Sequence, residues 1–233
     1  LKGQGAMSSS TGNTIGPLEA LELVPPQVLR YLIASTKPKK AITFDAGMSL
    51  VELADEFERL ASRDIDAEMQ NDDLSRRQKV ALEDAEGALR MSRIGDKTES
   101  IVSFRHLSML AQVKSDEEII TSYGSSLRDR LNRMKNWIQG PYFPEELRIK
   151  VLDAINPNAD KDITMRLHSY LSECEWDAKS ISDSISLCFR ESEISPRDGY
   201  KALYNAILGV DKGPRLAPIL SELDRERVLT LLG

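Results

Sequence analysis

Apolar residues recur at helical spacing along almost the whole chain, and no stretch sustains the every-second-residue alternation of a sheet. A chain patterned this way has to bury helical stripes against one another. Leu50, Leu53, Ala54, Phe57, Leu60 and Ala61 fall on one stripe, and Leu127, Leu131, Met134 and Ile138 on another. Helix boundaries are written in side chains as well. Pro17 opens a short helix over Leu18 to Leu23. Pro25-Pro26 opens a second, with Val28, Leu29, Leu32 and Ile33 at helical spacing, and Pro38 ends it. Ser115 with Glu118 forms a capping-box pattern, and Ser195-Pro196-Arg197-Asp198 is a helix start that Gly209 later terminates. Only Ala41 to Asp45 alternates briefly, and an extended segment is expected there. Residues 62 to 98 are charged and weakly apolar, which predicts a solvated helix and a flexible excursion around Gly95. The expected fold is mostly α, a multi-helix bundle preceded by a flexible loop over Leu1 to Gly16.

The 233 residues suffice for one large domain or two small ones. Lys and Arg total 31 against 37 Asp and Glu, a formal charge of −6. That sum excludes a general basic coating, so any nucleic-acid site is a local basic face on an acidic body. Cys174 and Cys188 cannot build a disulfide framework and read as reduced packing residues of a cytoplasmic protein. No apolar run is long enough to span a bilayer, so no membrane partner is expected. The opening Leu1-Lys2-Gly3-Gln4-Gly5 has no Met and is loop-like, as expected of a piece of a longer protein. His106 and His168 stand apart without metal-ligand spacing, so no metal site is expected. Nucleophile-elbow, phosphate-loop and dinucleotide motifs are absent from the sequence, and no catalytic residue is assigned.

The Gly- and Ser-rich segment Gly5-Ala6-Met7-Ser8-Ser9-Ser10-Thr11-Gly12-Asn13 is dense in hydroxyl and backbone donors. It suits either a phosphate-wrapping loop or a plain Ser-rich linker. Its order resembles the Lys-Met-Ser-Lys-Ser loop of class I aminoacyl-tRNA synthetases, in the Lys-Met-Ser-Ser-Ser form of the lysine enzymes. The resemblance continues through Glu19-Ala20-Leu21, Pro26 to Leu32, Thr36 to Lys40, Trp137, and Tyr142-Phe143-Pro144-Glu145. It extends to Ser195-Pro196-Arg197, Ala202-Leu203-Tyr204, Leu208-Gly209 and Gly213-Pro214-Arg215-Leu216. Ala6 and Ser9 stand where the family carries its signature lysines.

The resemblance implies the C-terminal part of a class I lysine–tRNA ligase, which attaches lysine to its tRNA at the expense of ATP with Mg. Met7, Ser8, Ser9 and Ser10 would form the ATP-binding loop. Residues 1–45 would end the catalytic region, and residues 46–233 would be the stem-contact and anticodon-binding helices. The isolated piece is expected to be inactive in catalysis and to bind tRNA, not DNA. A glutamyl-type synthetase tail and a non-catalytic helical interaction module are the alternatives.

An anticodon reader needs planar rings and nearby cations. Trp137, Tyr142 and Tyr200 supply candidate rings, and Phe143 a further one; Trp137 and Phe143 serve equally well as core. Arg197 and Arg215 supply cations, or else local caps and surface ion pairs. Arg128, Arg130, Arg133 and Lys135 lie off the apolar stripe of their helix, as a phosphate-contacting surface or a solvated face. Lys37, Lys39 and Lys40 form a second small basic cluster.

Overall fold

The computed structural model describes residues 15–42, 44–93 and 102–233. Among the described residues there are thirteen α-helices and no strand. The chain divides into two compact units. The first comprises the described residues of 1–108 together with 120–144, and the second comprises 109–119 and 145–233.

The first unit contains α1 (Pro17–Leu23), α2 (Pro26–Ser35), α3 (Met48–Ala61), α4 (Ile65–Met69), α5 (Arg76–Ser92) and α8 (Arg128–Gln139), with α6 (Phe104–Val113) and α7 (Asp116–Tyr123) divided between the units. Helix α3 is a helix for the reason its period suggests: Leu50, Val51, Ala54, Phe57 and Leu60 make its buried stripe. Helix α5 corrects the expectation of a solvated helix. Its N-terminus carries a complete capping box between Ser75 and Gln78, and Leu82, Ala88, Leu89 and Ser92 are buried. It packs along α2 and also touches α3 and α4. The guanidinium of Arg30, midway along α2, donates to the Met91 carbonyl near the end of α5 at 2.7 Å, and Ser35 at the end of α2 lines a cleft with Gln78 near the start of α5, so the two helices run antiparallel. On α2 only Val28 and Tyr31 are buried, whereas Ile33 is exposed, contrary to its place in the apolar period. Gly95 lies outside the described residues.

Among the described residues of 41–45 no strand forms. Instead, the Asp45 carboxylate accepts from the Gly47 amide at 2.9 Å and turns the chain into α3. Trp137 is fully buried at the centre of this unit. Its indole N–H donates to the Ala46 carbonyl at 2.7 Å, and its ring packs against Phe104 and Phe143, with centroids 5.2 and 4.8 Å away. Between α2 and α3, Lys40 N–H donates to Lys37 O at 3.0 Å, closing a β-turn. Its third residue, Lys39, has φ +80°, a position that such turns normally give to Gly or Asn.

The second unit is built from α9 (Lys161–Glu173), α10 (Ala178–Glu191), α11 (Pro196–Leu208), α12 (Leu216–Glu222) and α13 (Arg225–Leu232). Helix α9 packs on α10, α11 and α13, and α10 on α12. Asp160, Asp177, Ser195 and Asp224 each accept a backbone N–H at the start of their helices, satisfying donors that would otherwise be orphaned. Gly209 ends α11 at φ +69°, and Leu152 returns over that end by donating its N–H to the Ile207 carbonyl at 2.9 Å. Both cysteines are free thiols; Cys188 is buried and Cys174 half-buried, and burial pushes the Cys188 thiol up.

Helix α11 meets α10 through Gly199. A methyl group there would lie 2.3 Å from the Phe189 ring, which is itself buried. Gly199→Ala is therefore expected to destabilise the protein by about 1–3 kcal/mol, despite the better helix propensity of Ala. Thermal or urea unfolding of the variant checks this; unchanged or raised stability would mean that the ring yields.

Candidate RNA interface

Helix α8 presents fewer free cations than its sequence suggests. Arg130 is largely buried and ion-paired with Glu58 of α3, and its other terminal nitrogen donates to the Val102 carbonyl at 2.8 Å. Both Glu58 oxygens also accept the Phe104 amide at 2.9 Å. This half-buried carboxylate thus holds the first turn of α6 and the α8 guanidinium together, and Arg130 is a structural residue rather than part of a phosphate-facing surface. Arg133 is engaged with Asp129 one turn earlier, at 3.0 and 3.3 Å. Lys135 is half-buried, and Arg128 is exposed at the helix start.

Trp137 is likewise removed from the set of base-stacking rings, because no face of it reaches solvent. Phe143 is buried against it. Tyr142 remains half-exposed beside them. The signature-loop residues Met7, Ser8, Ser9 and Ser10 lie outside the described residues.

The second unit assembles a different surface. The inner side of α11 is Gly199, Ala202, Leu203, Ala206 and Ile207. Helical periodicity then sends Arg197, Tyr200, Lys201 and Tyr204 outward. Tyr200 is half-exposed and stands edge-on to Phe189, with centroids 5.2 Å apart and planes at 81°. The Tyr204 hydroxyl donates to both the Gly213 and Pro214 carbonyls, at 3.0 and 2.7 Å. Burial is the main cause that raises its pKa, with Tyr200 adding to it. Asp211 accepts from Asn205 at 2.9 Å and pairs with Lys201 at 3.2 Å; these contacts, the Asn205 bond first, hold its carboxyl below the usual range.

The loop after α11 is therefore folded back on the outer face of the helix. Pro214 is fixed against Tyr204 at the far end of the Arg197–Tyr200–Tyr204 row, and Arg215, the next residue, is exposed. Arg197 and Tyr200 share the outer face of the helix that carries Tyr204. Tyr204 was missed in the sequence as part of this surface, although its spacing of seven from Arg197 on one helix placed it there. The helix offers a half-exposed ring with an exposed arginine one turn before it, which suits stacking on an unpaired base with a phosphate contact beside it.

The chain as a whole is similar to known proteins. Residues 1–85 match the family model for class I tRNA synthetases of the lysine (K) type. The chain is 29% identical to the lysine–tRNA ligase of Thermoplasma volcanium, covering 100% of this chain and 48% of that protein. It is 31% identical to the Thermoplasma acidophilum lysine–tRNA ligase, over 98% of this chain and 46% of the relative. For the Archaeoglobus fulgidus lysine–tRNA ligase the identity is 26%, over 100% and 46%. The chain spans about half the length of the curated relatives it matches. The chain is thus similar to class I aminoacyl-tRNA synthetases, and within that class to lysine–tRNA ligases.

The two α8 cations separate cleanly by their surroundings. Arg130→Gln is expected to cost about 3 kcal/mol or more of stability, since it leaves the half-buried Glu58 carboxylate without its cation. Arg128→Gln is expected to stay within about 0.5 kcal/mol. Chemical denaturation of the two variants tests this, and equal small effects would show that the Glu58 junction adds nothing to stability.

Proposed function

We propose that this chain is the C-terminal part of a lysine–tRNA ligase and that its own work is to bind the lysine-accepting tRNA. In the whole protein, lysine is activated with ATP and Mg and transferred to the tRNA end. Similarity to lysine–tRNA ligases along the full chain is the observation that carries this reading. Residues 1–45 then close the catalytic region, with Met7 to Ser10 in contact with ATP, and residues 46–233 provide stem contact and anticodon binding. That functional boundary runs inside the first compact unit, because α1 packs on α8 and α2 on α5 and α3. A cytoplasmic setting fits this work; among the described residues no helix is long and apolar enough to cross a membrane.

The anticodon-reading surface is assigned to Arg197, Tyr200 and Arg215, with Tyr204 as the pin that positions the loop carrying Arg215. Tyr142 and Arg128 remain candidate contacts in the first unit. Titration with lysine-type and scrambled anticodon stem-loops tests the assignment. Tyr200→Ala is expected to cost about 1–3 kcal/mol on the matched loop and little on the scrambled one. Arg197→Gln and Arg215→Gln are expected to weaken both loops alike and to flatten the salt dependence. Equal weak binding of both loops, indifferent to all three substitutions, would favour a helical interaction module instead.

The chain alone is expected to make no lysyl-adenylate, since it spans about half of the relatives that carry the name. Lysine-dependent exchange of pyrophosphate into ATP measures this, and robust exchange by the isolated chain would sink the expectation.

A further inference from the structure

One open cleft of about 520 Å³ in the first unit is lined by α2, α3 and α5, a size within the roughly 300–1,000 Å³ of small-molecule sites. Its floor is apolar: Tyr31, Leu60 and Leu82 line it and are buried. Ala81, Ala85 and Ala88 line it from α5 at i, i+4 and i+7. That wall therefore carries only methyl groups, and the cleft stays open.

Charges of both signs stand around this floor. Arg63 and Glu68 line the cleft and pair with each other. Arg59 of α3 and Asp84 of α5 line it too, both exposed, and neither enters an ion pair among the described residues. Glu56, one turn before Arg59, is the third such charge. One of its oxygens accepts the Tyr31 hydroxyl at 2.9 Å. Burial, and after it the bond to Glu56, raises the Tyr31 pKa, so the hydroxyl keeps its proton, and the carboxylate retains lone pairs for a further donor.

The charges left without an ionic partner are thus one guanidinium and two carboxylates. A simple anion would meet Glu56 and Asp84, and a simple cation would meet Arg59. A ligand that answers all three carries one carboxylate and two cationic groups. Glu56 and Arg59 are about 4.5 Å apart along the axis of α3, so the second cationic group has to stand off from the carboxylate on a stem. The apolar floor suits a stem of methylenes.

We propose that this cleft is a binding site for a free dibasic amino acid, with its carboxylate on Arg59, its α-ammonium on Asp84 and its side-chain cation on Glu56. The stem lies along the alanine wall of α5. The cleft selects charge and not the exact stem length, so lysine, ornithine and arginine form one class of ligand. This site goes beyond the tRNA-binding reading and does not rest on it.

The test titrates the full chain with L-lysine, L-ornithine and L-arginine at constant ionic strength, by calorimetry or NMR. Norleucine keeps the stem and the α-groups without the second cation, and cadaverine keeps both ammonium groups without the carboxylate. Saturable binding of the three dibasic amino acids is expected, with norleucine and cadaverine about threefold to fivefold weaker or more, as befits exposed ion pairs. R59Q should erase the preference for lysine over cadaverine, and E56Q the preference over norleucine. A merely structural role for either residue would lower all affinities together. D84N should weaken lysine and norleucine alike. A85L keeps every charge and should lose lysine binding by filling the cleft. Thermal melts check that each variant is folded, and the ligand series on the unaltered chain decides the matter if one is not.

Absence of saturable binding by any dibasic amino acid would overturn the site. Binding that norleucine or cadaverine matches on the unaltered chain would overturn it as well. So would preferences that survive R59Q and E56Q in folded protein.

Discussion

The first unit depends on the carboxylate of Glu58. One half-buried acid accepts the amide that starts α6 and holds the guanidinium of Arg130 on α8. Removing such charges from water is expensive, and the expense is offset only when both partners and their remaining hydrogen bonds are in place. Here the Arg130 guanidinium also reaches the Val102 carbonyl, while its buried Nε has no acceptor, so the offset is incomplete. The joint then sets the apolar core. Phe104, held by its amide, leans on Trp137 of α8, and the Trp137 indole N–H reaches back to Ala46, just before α3. The start of α3, its far end, the first turn of α6 and the body of α8 form one closed circuit.

That circuit explains why charge and aromaticity alone misassign this protein's surfaces. Arg130 and Trp137 have the residue types of an RNA reader, and both are used to hold helices together. The second unit employs its residues otherwise. Tyr204 and Asp211 fasten the loop after α11, and the same fastening leaves Tyr200, Arg197 and Arg215 toward solvent. The residue that pins the loop, Tyr204, and the half-exposed ring proposed to read a base, Tyr200, differ there by one helical turn.

Net acidity gives the local basic patches their meaning. On a chain with more carboxylates than cations, a lysine or arginine readily finds an acid close by, as Lys114 does with Glu222 at 2.7 Å.

The helical class, the caps at Ser115, Ser195 and Gly209, and the stripe of α3 were legible in the sequence, because period and capping are local properties. So was the similarity to lysine–tRNA ligases, through the ordered residues from Met7 to the terminal helices. What the sequence could not determine was which side of an apolar residue or a cation would be covered. Ile33 sits at helical spacing and is exposed, whereas α5 looks solvated and buries Leu82 and Leu89 against its neighbours. Arg130 and Arg128 are two residues apart on one helix, and only the distant Glu58 separates their roles. The grouping of Tyr204 with Pro214 arises from a chain reversal that no local pattern encodes. Burial and ion pairing are set by partners far along the chain, so tertiary packing alone decided them.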